Sequence, residues 1–169
     1  MLDRIDAHPA SAEEGFRTAM RQLASGVSVV TAGTHGDRSG FTATSVVSLS
    51  VDPPRLLVSV NNSSSTWPLI ARHGGFSVNV LAADQGHLAE VFAGRTGLLG
   101  TSRFEEGRWH RHPAAGYALE GALAIIHCRV EETLERHGHM LVIGCVLYSM
   151  TTATHPLLYW NRTYPVIAE

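Results

Sequence analysis

Lysine is missing from all 169 residues; every one of the thirteen basic side chains is arginine, set against fifteen acidic ones. That absence excludes a Schiff-base lysine, a serine-lysine dyad and the phosphate-binding lysine of a P-loop. The net charge of −2 leaves no basic footprint along which phosphates could be neutralised, so no nucleic-acid partner is expected. Cysteine is scarce. Cys128 and Cys145 lie in apolar runs without a CxxC spacing, and read as buried thiols of a reducing compartment or, at most, as one disulfide between neighbouring strands. No apolar run is long enough to span a membrane, and the first ten residues carry Asp3, Arg4 and Asp6 with no signal-like apolar stretch. A soluble, cytoplasmic protein with no membrane partner is expected.

Motifs of side-chain catalysis are absent too. There is no GxSxG elbow, no HExxH, no GxGxxG after a strand and no pair of carboxylates in an apolar setting. The i, i+2 pairs His110/His112 and His137/His139 lack a third ligand at a recognisable spacing, so no metal is expected. What remains is an apolar chain, 44% hydrophobic and 17% charged, long enough for one core and short for two. A single domain over residues 1–169 is expected, with 1–10 as a flexible arm. Some of its apolar surface should be covered by a partner.

Ser11 with Glu14 forms a capping box, and Phe16, Ala19, Met20 and Leu23 follow at i, i+3, i+4 and i+7, predicting an amphipathic helix ended by Gly26. Residues 27–31 and 41–51 read as two strands of a hairpin around the turn cluster at 33–37. After Asp52-Pro-Pro54 come a strand at 56–60, a polar loop at 61–66 and a short helix through Ile70 with Thr66 as its N-cap. A strand at 76–81 precedes a helix that Asp84 should cap and whose inner face is Leu88, Val91 and Phe92. Residues 94–107 read as an irregular loop of a length that is often functional. Two long β-rich runs, 119–134 and 140–150, should pair, and 157–159 forms a last short strand. Roughly seven strands without βαβ alternation predict a mainly β fold, an antiparallel barrel with helical additions.

Two polar stretches carry the chemistry. Ser39-Gly-Phe-Thr-Ala-Thr-Ser45 runs small hydroxyl residues along a strand start, and Asn61-Asn-Ser-Ser-Ser-Thr66 follows another strand. Compact donors at a helix start suit a phosphate. A strand edge with small residues such as Ala43 and Thr44 lets a flat heteroaromatic ring approach backbone donors and acceptors. A solvated turn is the plain alternative for either stretch.

The order of Gly26-Val-Ser-Val-Val-Thr31, Gly40-Phe-Thr-Ala-Thr-Ser45, Asp52-Pro-Pro54, Ser63-Ser-Ser-Thr66, Phe76-Ser-Val-Asn-Val-Leu81, Leu119-Glu-Gly-Ala122 and Pro156-Leu-Leu-Tyr159 resembles short-chain flavin reductases built on an FMN-binding split barrel. The resemblance runs from Phe16 to about Pro165. Phe92-Ala-Gly-Arg-Thr-Gly97, Arg103-Phe104 and Tyr159-Trp-Asn-Arg-Thr-Tyr164 look most like the reductase component of 4-hydroxyphenylacetate 3-monooxygenase and its relatives. It implies NAD(P)H-dependent reduction of FMN or FAD by NADH or NADPH, a homodimer, and delivery of reduced flavin to a monooxygenase component. Rival readings are a flavin-retaining reductase of another acceptor such as a corrinoid, and a non-catalytic flavin-binding module.

By the same resemblance, Thr42, Ala43, Thr44 and Ser45 would lie along the isoalloxazine. Asn61, Asn62, Ser63, Ser64, Ser65 and Thr66 would hold the ribityl and phosphate groups, and Asn79, Val80 and Leu81 would close the ring pocket. His139, where relatives have a Gly-Asp-His element and this chain has Gly138 before the histidine, would face the nicotinamide with Arg162 and Tyr164. Hydride would pass from nicotinamide to flavin with no obligatory acid or base from the protein.

Overall fold

The computed structural model describes residues 11–167; the expected arm at 1–10 lies outside them. The first helix, α1 (Ala12–Arg21), opens as its sequence asks, with the Ser11 hydroxyl accepting the Glu14 amide at 3.1 Å. It ends at Gln22 and not at Gly26, because the cap amide already turns back to the Ala19 and Met20 carbonyls. No residue of α1 is buried, and Phe16 is 66% exposed.

The strands are β1 (Ser25–Gly26), β2 (Ser28–Thr34), β3 (Asp37–Ala43), β4 (Val46–Ser50), β5 (Arg55–Asn61), β6 (Gly75–Val80), β7 (Trp109–Arg111), β8 (Tyr117–Leu119), β9 (Ala124–Arg136), β10 (His139–Thr151) and β11 (Leu158–Tyr159). Helix α2 (Trp67–His73) follows β5, and α3 (Gly86–Phe92) follows a 3-10 turn at Ala83–Gln85. The β2–β3 hairpin and the long β9–β10 pair form as expected.

Four expectations need correction. The run at 41–51 is two strands: β3 pairs with β2, whereas β4 pairs with β5. Thr66 gives α2 no side-chain cap, and Asp84 falls inside the 3-10 turn. Finally, Leu119 ends β8 and pairs with Trp109, so the long strand starts only at Ala124.

Seven antiparallel strands form one sheet in the order β3-β2-β6-β9-β10-β5-β4. Its two outermost strands, β3 and β4, are joined by Thr44 and Ser45 alone. A two-residue link reaches on the order of 10 Å, so the sheet has to curl until its edges meet. No ladder joins those edges, and the barrel is split there.

Both faces of β2 are buried, which accounts for its almost unbroken run of buried residues. Val30 points into a cluster with Phe76, Val58 and Val142, while its neighbour Val29 points into another with Leu88, Phe92 and Leu119. The second cluster is the floor on which α3 and the 94–107 segment rest, and within it Phe92, Phe104 and Trp109 pack ring against ring at 5.1–5.2 Å.

Candidate functional site

The barrel seam is where chain topology leaves backbone outside a ladder. Thr44 and Ser45 belong to neither the β2–β3 nor the β4–β5 register, although Ser45 is tied to Ser59 by its hydroxyl at 3.2 Å and by its carbonyl, which accepts the Ser59 amide at 3.4 Å. Beside them a cavity of about 180 Å³ is lined by Val27, Thr42, Thr44, Ala93, Arg95, Tyr159 and Tyr164. Thr42 donates its hydroxyl to the Ala89 carbonyl at 2.6 Å and so fixes the cavity wall to α3. Thr44 is exposed and its hydroxyl has no protein partner among the described residues. Ala43 points the other way, into the barrel core.

The 61–66 loop uses much of its polarity on itself. Asn61 Oδ1 accepts both the amide and the hydroxyl of Ser63, at 2.8 and 2.7 Å. The Ser64 and Trp67 amides bond to Asn61 and Ser64 carbonyls, and the Thr66 amide to the Ser64 hydroxyl. The amides at the start of α2 are therefore taken. What the loop still presents is hydroxyl groups, with Ser39 of β3 sharing hydrogen bonds with Ser65 at 2.8 Å and Thr66 at 3.0 Å. This bridge brings the two hydroxyl-rich stretches together. Asn62 Oδ1 is buried without a partner, an acceptor that a donor on a bound molecule would satisfy.

The structure does not bring Asn79 and Leu81 to the cavity. Asn79 is completely buried; its amide donates to the Val29 and Tyr117 carbonyls at 3.1 and 3.0 Å, and its Oδ1 accepts the Leu119 amide at 2.8 Å. All its capacity serves to stitch β2, β6 and β8. Leu81 is core, and Val80 is half-buried against the other cluster.

His139 lies at the tip of the β9–β10 hairpin, opposite Asn61 in register. The Asn62 amide bonds to the Gly138 carbonyl at 2.9 Å, so the tip and the polar loop form one exposed corner. Arg162 is elsewhere. It sits with Asn161 in a tight turn, both at positive φ, closed by reciprocal bonds between Trp160 and Thr163. It borders a second groove under α1, shared with Phe16, Met20 and Tyr159. Tyr164 alone of the three expected nicotinamide residues lines the seam cavity.

The sequence reading passed over Glu90, Arg95 and Tyr159. Arg95 Nη1 donates to both carboxylate oxygens of Glu90, at 2.9 and 3.1 Å, and the Tyr164 hydroxyl donates to the same carboxylate at 2.5 Å. The Tyr164 bond, helped by Arg95, holds Glu90 below the usual carboxylate range, and burial followed by that bond pushes the Tyr164 phenol up to about 12. Glu90 and Arg95 are five apart, a spacing that signals no pair on a regular helix. The contact exists because α3 ends at Ala93 and Gly94 turns the chain back at φ +76°.

The flavin reductase like domain matches residues 20–168. An FMN reductase (NADH) RutF of Cronobacter sakazakii is 35% identical over 160 residues, covering 94% of this chain and 95% of that protein. The reductase component of an FADH(2)-dependent resorcinol hydroxylase from a Rhizobium is 37% identical over 159 residues, 92% of this chain and 88% of the relative. Among solved structures, the flavin reductase component BorF of a bacterial two-component tryptophan halogenase superposes with a TM-score of 0.82 at 30% identity, over 90% of this chain and 96% of that one.

Proposed function

Because the chain belongs to the flavin reductase like domain family, we propose that it is an NAD(P)H:flavin oxidoreductase that reduces FMN or FAD and supplies the product to a two-component monooxygenase. The observation that carries this reading is the seam. A cavity abuts the two residues that leave the β3 and β4 ladders, with the free Thr44 hydroxyl on its wall. These residues fit a flavin. Thr44 offers backbone and a hydroxyl to the ring edge, and the hydroxyls at 63–65 suit ribityl and phosphate oxygens. Bound there, the flavin supplies the hydride-accepting chemistry.

The chain's own part is binding and positioning. The Thr42 bond to Ala89 and the Glu90–Tyr164 bond keep the two cavity walls at a fixed separation, which preorganises the stacked rings. His139 and Arg162 stand on separate elements, so of the residues expected at the nicotinamide, Tyr164 is the one this reading keeps in the ring pocket. We further propose a homodimer in the cytoplasm. Val47 and Leu49 of β4, Val51 just after it, and Leu147, Tyr148 and Met150 of β10 are all exposed, an apolar area that a second copy would cover.

Steady-state NADH oxidation with and without added FMN tests the function. Turnover that requires added flavin is expected. Turnover with retained flavin and a second acceptor supports a corrinoid-type reductase instead, and no oxidation at all supports a binding module.

A further inference from the structure

Arg95 leaves the end of α3 with its backbone amide on the Glu90 carbonyl at 3.0 Å, and it lines the seam cavity together with Thr42 and Thr44. Nη1 is committed to the Glu90 carboxylate, and the guanidinium also bonds to the Tyr159 phenol on the same wall, which leaves part of the fork for a ligand. The carboxylate in turn is held by Tyr164, which forms another part of the wall. An arginine needed only to end a helix has no reason to be clamped from behind by a carboxylate and a phenol while facing a cavity. Such a clamp fixes the fork of a guanidinium in one orientation, which suits a planar acceptor.

We propose that Arg95, oriented by Glu90 and Tyr164, is a positioning residue for the flavin ring and donates to the ring edge on which negative charge gathers on reduction. This rests on the flavin reading above. The contact is stronger toward the reduced ring than toward the oxidised one, so it favours hydride acceptance beyond its contribution to binding. The Glu90 counter-charge moderates it, and the side chain is about half exposed, so the effect is modest.

The test is anaerobic titration with oxidised and with reduced FMN, for the wild type, Arg95→Met and Glu90→Gln, each checked for an unchanged thermal midpoint. Arg95→Met is expected to weaken reduced FMN by about fivefold while oxidised FMN stays within about twofold. For a two-electron couple, fivefold is a fall of about 20 mV in the potential of the bound flavin. Glu90→Gln removes the counter-charge and moves the ratio the other way. Equal ratios in wild type and Arg95→Met overturn the proposal. So does equal loss of both FMN forms with riboflavin spared, which would put Arg95 on the phosphate. A wild type that binds neither form of FMN fails the flavin reading itself, a result distinct from either.

Discussion

The seam at 42–45 and the corner formed by the 61–66 loop with the β9–β10 tip have similar compositions, rich in hydroxyls and amides, yet the fold treats them differently. At the corner the polar atoms mostly satisfy one another: Asn61 holds Ser63, and Asn62 donates to Glu135 at 2.6 Å. At the seam the barrel fails to close a ladder and a cavity opens against the gap. A polar residue becomes part of a site where topology denies it an internal partner, as at Thr44, and composition alone does not reveal which residue that is.

The largest expected effect comes from breaking the scaffold beneath the seam. Asn79→Leu strands the buried Leu119 amide and takes a donor from the Val29 and Tyr117 carbonyls, the latter still held by the Thr31 hydroxyl, and should destabilise the fold by about 3 kcal/mol. Urea denaturation reads this, and the folded fraction should keep its FMN affinity because Asn79 has nothing to spare for a ligand. Wild-type stability in Asn79→Leu would remove the distinction between scaffold and site.

The next effect shakes the scaffold through pH and leaves both regions untouched. His127 is buried, shares a 2.7 Å hydrogen bond with Ser77 and stacks on His112 at 4.1 Å. Burial, with His112 beside it, pulls its pKa down from 6.5 to about 4. Between those values the unfolded chain takes up a proton that the folded chain refuses, so stability is complete above pH 6.5 and falls toward pH 4, by about 3 kcal/mol. Denaturation midpoints across that window should flatten in His127→Gln.

Much of the fold was legible because strand and turn signals are local. Val27 to Thr31 and the paired runs of the C-terminal half announce themselves by β-branched content. The break at Thr44 was not, since nothing about Thr44 or Ser45 resembles a turn; the chain changes sheet edges there only because the barrel curls. Asn79 was misread for a similar reason, as its partners Tyr117 and Leu119 are about forty residues away. Arg95 was hidden by an irregular helix end that brings Glu90 within reach.

Two smaller effects sharpen the contrast at the corner. If the hydroxyl bridge reaches the flavin phosphate, FMN should outbind riboflavin by about 1.5 kcal/mol, and Ser65→Ala should narrow the gap; equal affinities for the two in the wild type would reduce the loop to a solvated turn. His139→Ala should raise the Michaelis constant for NAD(P)H by less than about 1 kcal/mol in equivalent free energy, with flavin affinity unchanged. Kinetics identical to wild type would confine the catalytic surface to the seam.

The turn at Asn161 and Arg162 ties the two ends of the described chain together, because the Asn161 amide bonds to the Arg21 carbonyl at the close of α1. Tyr159, just before that turn, is a wall of both the α1 groove and the seam cavity. Since α1 contributes nothing to the core, trimming it or fusing a bulky tag to it would spare the melting temperature. The damage would surface instead as a loosened Tyr159 and a slower enzyme, so an expression design chosen for stability alone could select a crippled one.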